Sequence, residues 1–219
     1  MHDDPHAIHN PQELAKIYPE PKPLVVKANH ATLTDHDIAY LKAAPFVAIA
    51  TVAGAGQPAG LNISPRGDAP SPRGDAPGVV HIIDRQSLAL PDWPGNNKIE
   101  TLRNLIADNR VGLLFLFPGL DIFLRIRGRA WVTRDPALMA ALEHGGKQPR
   151  SIIRVAVENI CMHCGKAARR GRLWDPKAHL DAASLPGVGE MIEAAGAAGE
   201  QSAREIDAGY AQSMDGELY

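Results

Sequence analysis

An arginine set beside proline and glycine is suited to gripping an anion. The guanidinium offers a flat fork of N–H donors, and its neighbours restrict the backbone or let it come close. The chain carries that arrangement twice in tandem, as SPRGDAP at 64–70 and again at 71–77, presenting Arg66 and Arg73. A second anion seat is LPDWPGNNKIETL at 90–102. There Pro91, Pro94 and Gly95 make a turn, and Asn96, Asn97 and Lys98 stand at the head of a helical pattern, where the first N–H groups lack partners. On these residues alone, a plain capped connection between strand and helix is the simpler reading. Further on, Arg125, Arg127 and Arg129 recur at period two. Such a row either lines an anionic pocket or faces water; Arg125 is assigned to the pocket and Arg127 to water.

The segment CMHCGKAARRGRLWDP at 161–176 is the other chemical focus. Cys161 and Cys164 have half-site spacing, but a zinc site needs about four ligands and only His163 is at hand. A thioredoxin-type pair would open a helix within a parallel sheet, which nothing in the chain suggests. Two buried small residues are therefore expected. Lys166, Arg169, Arg170 and Arg172 run into Leu173-Trp174. That run is either a solvated basic face or a seat for a phosphorylated, planar ligand. His2, His6 and His9 read as a solvated terminus, and the glycines at 54, 56 and 60 as a hairpin turn rather than a dinucleotide loop.

The elements that must position these groups are short and mostly extended. A Pro-rich arm fills 1–33. A helix is expected over 34–44, opened by a Thr34/Asp37 capping box. Strands follow at 46–53 and 61–64, and 79–83 with 87–90 form a hairpin, ended by Pro91, Pro94 and Gly95. A helix over 98–108, capped by Asn96 or Asn97, turns Ile99, Leu102, Leu105 and Ile106 to one side. The apolar run 111–117 reads as a strand covered on both faces. A longer strand spans 121–133, with Gly128 as a bulge or close-approach point. A helix at 135–143, a strand at 151–160 and two C-terminal helices complete the chain.

Composition narrows the function. The chain has 219 residues, 45% hydrophobic and 22% charged, with a formal net charge of −2. That balance gives no general attraction to nucleic acid or to membranes, so neither is an expected partner. The terminus MHDDPHAIHNP has no basic and apolar leader pattern, and a cytoplasmic protein is expected. No Ser/His/Asp or paired-carboxylate signature stands out, so no catalytic side chain is assigned.

Four features occur in order: a strand into SPRGD, the block LALPDWPGNNKIETLRNL, the strand LRIRGRAWV, and NICMHCGKAARRGRLWDP. Together they resemble a subfamily of the pyridoxamine 5′-phosphate oxidase-like, FMN-binding split-barrel proteins, over nearly everything after residue 34. The resemblance implies a mainly β (α+β) fold, an antiparallel Greek-key split β-barrel with flanking helices. It implies an N-terminal arm at 1–33, an FMN-binding barrel domain at 34–176 and a helical C-terminal extension at 177–219, packing on the barrel or a dimer partner. It implies a homodimer with FMN between subunits and an oxidoreductase acting on a small-molecule substrate. A flavin- or haem-binding module without turnover and a deazaflavin-dependent reductase are the alternatives.

By position, the resemblance places Arg66 at the phosphate, with Arg73 as the alternative from the duplicated loop. It places Asn96, Asn97 and Lys98 where the oxidases have a Ser-Arg-Lys turn. It lays Leu90, Pro91 and Asp92 along the flavin. His163, Lys166, Arg172 and Trp174 fall where the oxidases place late substrate and flavin contacts. The oxidases' own C-terminal substrate motif is not present in recognisable form.

Overall fold

Alternation in seven strands builds one antiparallel sheet, and the computed structural model describes it through residues 4–53, 60–68, 78–95 and 97–216. Arg73 and Asn96 lie outside the described residues. In chain order the elements begin with α1 (Pro11–Ile17), α2 (Pro23–Lys27) and α3 (Asp35–Ala43), followed by β1 (Phe46–Val52), β2 (Leu61–Gly67), β3 (His81–Asp84) and β4 (Ser87–Asp92). Next come α4 (Glu100–Ala107), β5 (Arg110–Leu116), β6 (Ile122–Thr133), α5 (Pro136–Ala141), β7 (Ser151–Cys164), α6 (Lys166–Arg170), α7 (Val188–Ala194) and α8 (Ala203–Gly216). No helix among the described residues is long and apolar enough to cross a membrane.

The strands pair in the order β2-β1-β5-β6-β7-β4-β3. Every second residue points to one face: Val47 and Ile49, Leu113 and Phe115, Leu124 and Ile126, Ile153 and Val155 are buried together with Leu88 and Leu90. The ladder is open, with β2 and β3 as its edges among the described residues. The sheet is nevertheless strongly curled. β2 and β4 are five strand steps apart, roughly 24 Å in a flat sheet. Yet Arg66 on β2 reaches Asp92 on β4 at 3.2 Å.

Local chemistry fixes the start of the domain. Thr34 caps α3 reciprocally with Asp37, as the box predicts. Asp37 also accepts from His30 at 2.9 Å. Burial opposes the charge on His30, but the bond to Asp37, the Ala28 carbonyl and the Asp37 charge outweigh it and raise its pKa. His30 bridges Ile160 of β7 and Leu33 bonds to Arg85, so the end of the arm is sewn to the sheet.

Several expected boundaries move. Pro91 does not stop β4, which continues to Asp92 opposite Ser151. The carbonyls of Gln86 and Asp92 point to β7. By alternation Pro91 then turns its nitrogen towards β3, whose pairing begins only opposite Ala89, so no ladder bond is lost. α4 opens at Glu100 with Ile99 as its cap residue and no capping side chain, so Asn97 is not the cap. Its buried residues are Thr101, Asn104 and Leu105, while Ile106 is 79% exposed. β5 is buried on one face and half-exposed on the other, not covered on both. β7 runs on to Cys164. Cys161, opposite Arg125, is buried and Cys164, at the strand's end, is exposed, so the two are not both buried.

Gly128 behaves as read. The β6–β7 register shifts between Arg127 and Gly128. At the far end, α7 and α8 pack chiefly on each other. Gly189 there donates to Asp207 at 2.8 Å.

Candidate functional site

The curl of the sheet brings one end of β2 against one end of β4. Between them and the start of α4 lies a cleft of about 340 Å³. Arg66 enters it because it sits opposite Val47, a fully buried residue, and so shares the inner face of the sheet. Its guanidinium is held in place. Nη1 donates to Ser64 Oγ at 2.8 Å and to the Pro65 carbonyl at 3.2 Å, and Nη2 donates to Asp92 Oδ1 at 3.2 Å.

Asp92 is the last residue of β4, and its carbonyl accepts from the Arg150 backbone at 2.9 Å. Burial pushes its carboxyl above the usual carboxylate range, against the pull of Arg66 and Arg150. Arg150 precedes β7 and lines the same cleft. Its Nη1 donates to Asn97 Oδ1 at 2.6 Å. Asn97 adopts a left-handed backbone with φ +59°, a conformation that Asn tolerates better than most residues. Lys98, Ile99 and Leu102 complete the α4 side, Asp68 and Val79 the β2 and β3 side, and Trp93 and Ser151 the β4 and β7 side.

Three cationic side chains, Arg66, Lys98 and Arg150, thus meet two carboxylates, Asp68 and Asp92, beside an indole and aliphatic groups. That donor set suits a compact anion with an attached flat or apolar part. Of the residues singled out by sequence, the cleft gathers Arg66, Pro91, Asp92, Asn97 and Lys98.

The others stand elsewhere. Arg125 is exposed on the outer face of the sheet, between Leu114 and Cys161. His163 is exposed opposite Phe123. Lys166 opens α6 in solvent. Arg172 bonds to Asp175 at 2.7 Å, and the Trp174 indole donates to the Leu120 carbonyl at 3.0 Å. β7 separates this group from the cleft, since its 14 residues reach from Ser151 to Cys164. That is roughly 40 Å along an extended strand, so within one chain the late segment does not meet the cleft.

Arg150 and Trp93 escaped the sequence reading. The signal for Arg150 was its place immediately before an alternating strand, which the fold pairs with the end of β4.

A family model described as pyridoxamine 5'-phosphate oxidase matches residues 33–164. No curated protein matches the chain. Solved structures similar to it include HupZ from Group A Streptococcus, 17% identical, covering 58% of this chain and 91% of that one, with a TM-score of 0.45. A Clostridium acetobutylicum protein related to general stress protein 26, of the pyridoxinephosphate oxidase family, is 15% identical over 59% of this chain and 86% of that one, with a TM-score of 0.40. The FAD binding protein of Mycobacterium smegmatis is 16% identical over 61% and 97%, also with a TM-score of 0.40.

Proposed function

The chain belongs to the pyridoxamine 5'-phosphate oxidase family, and from that premise we propose that it binds a flavin, FMN being the one the cleft suits best. The supporting observation is convergence: Arg66, Lys98 and Arg150 come from three separate segments to one cleft. Arg and Lys in that number suit a phosphate group, and Trp93, Val79 and Leu102 offer apolar cover to a ring system. The chain's own contribution is to bind and orient. Ser64 and Asp92 fix the Arg66 fork, and Asn97 aims Arg150. A bound flavin accepts and donates hydride, so the reading extends to an oxidoreductase acting on a small molecule.

The test is to compare FMN with riboflavin, which lacks the phosphate, by quenching of flavin fluorescence on titration with protein. FMN should bind at least about tenfold tighter, the worth of one or more charge-assisted hydrogen bonds. Equal affinity for the two would remove the phosphate from the cleft.

The same reading takes the curled sheet as the family's Greek-key split barrel and the molecule as a homodimer. β2 supports the second point, because its alternation is inverted. Asn62, Ser64 and Arg66 face inward, while Leu61 and Ile63 face out at 62% and 64% exposure. Pairing continues that outer face across Ala48 and Ala50 to Leu114, Gly112 and Leu116, all half-exposed. A contiguous apolar face of this kind calls for a cover, and a second copy offers a matching one. In a dimer Arg125 and the late residues His163, Lys166, Arg172 and Trp174 would approach a cleft of the other copy. Sedimentation should give the dimer mass for the native chain and the monomer mass for Ile63→Glu; a monomeric native chain would contradict this.

A further inference from the structure

The cleft contains its own anion. Asp92 sits 3.2 Å from Arg66, on the guanidinium nitrogen that Ser64 does not occupy. A phosphate group that comes to Arg66 meets a carboxylate already there. We propose that Asp92 is a built-in competitor for the anion, so that it sets how strongly, and at what pH, the cleft takes a phosphate or sulfate group. This rests on reading the cleft as an anion seat, and it holds whether or not that anion is part of a flavin.

The groups facing Asp92 decide the sign. Arg66 approaches from β2 and Arg150 from the segment before β7, while Asp68 and Lys98 line the same cleft. With Asp92 ionised, the three cations are offset by two carboxylates. An incoming dianion is then held by Arg66 against repulsion from Asp92. With Asp92 neutral, Nη2 of Arg66 is freed from its ion pair and the repulsion goes. Burial already favours the neutral form of Asp92 relative to an exposed aspartate. Protonation therefore falls at a higher pH than for an ordinary carboxylate, and anion affinity climbs as pH falls through that point.

Sulfate is the probe, because it keeps its charge across the range tested. Its binding is followed by calorimetry from about pH 7 to about pH 4.5, on the native full-length chain and on Asp92→Asn. FMN binding at about pH 7 is measured alongside. The substitution keeps the shape and the hydrogen-bonding oxygen. At neutral pH Asp92→Asn should bind sulfate about tenfold tighter than the native chain, the scale of one charge-assisted contact. The native chain should gain affinity as pH falls, and by more than Asp92→Asn, which lacks the Asp92 carboxyl.

Equal or weaker sulfate binding by Asp92→Asn at neutral pH overturns the proposal, as does the same pH response in both chains. Failure of both chains to bind sulfate overturns it too, since there is then no anion to compete for. FMN that binds while sulfate binding ignores Asp92 leaves the flavin reading standing and this proposal lost. Tighter sulfate binding by Asp92→Asn with no FMN binding does the reverse.

Discussion

Replacing Gly128 by alanine should destabilise the domain by at least about 3 kcal/mol, read as a lower midpoint in urea unfolding. A Cβ added at Gly128 would lie 2.0 Å from the Ala156 carbonyl oxygen and 3.0 Å from its carbon. Both are backbone atoms, and neither can step aside. Ala156 is paired to Ser87 on one side and to Arg129 on the other, so moving it disturbs three strands. The register shift at Arg127 and Gly128 creates the close approach, and only a residue without a side chain fits it. Gly209→Ala is the comparison: it lies in α8 with nothing within 4 Å of an added Cβ. That change should leave stability unchanged or raise it by up to about 1 kcal/mol. A Gly128→Ala protein as stable as the native chain would mean that the β6–β7 junction is not built as described.

Removing both cleft arginines should weaken FMN binding at least about a hundredfold. Each guanidinium offers charge-assisted bonds worth about tenfold, and the two come from different segments, β2 and the approach to β7. The single variants are not equivalent. Arg66→Gln takes the cation from Asp92, a half-buried carboxylate, and should lower the melting temperature as well as the affinity. Arg150→Gln breaks no ion pair with Asp92 and loses one bond to Asn97, so it should weaken binding with the fold largely intact. Fluorescence titration gives the affinities and thermal unfolding separates the two effects. A folded Arg150→Gln protein that binds FMN like the native chain would remove Arg150 from the site.

The parts of this molecule that are decided locally were legible in the sequence. The Thr34/Asp37 box needs only residues three apart, and it forms. Gly128 in a run of β-formers announced a close backbone approach, and one is there. Misreadings arose where a neighbouring strand decides. Pro91 reads as a terminator, yet it is harmless because β3 does not extend opposite it. Asn97 reads as a cap, but the helix opens only at Glu100, and the Asn97 side chain serves Arg150 instead. Arg150 offered only its place before an alternating strand as a signal, because its value comes from the pairing of that strand with the end of β4, nearly sixty residues earlier. The late basic run was joined to the other anion-binding residues by its chemistry and by the family resemblance, and within one chain the length of β7 carries it to the opposite end of the sheet.

If the cleft between β2, β4 and α4 seats the phosphate of a flavin, a crystal structure of the protein grown with FMN will show it most directly. The phosphate is expected within hydrogen-bonding distance of Arg66 and Arg150, beside Lys98, with the ring system leaving the cleft past Trp93. Flavin bound with its phosphate at the Arg169–Arg172 end of the chain, or anywhere away from Arg66, would contradict it.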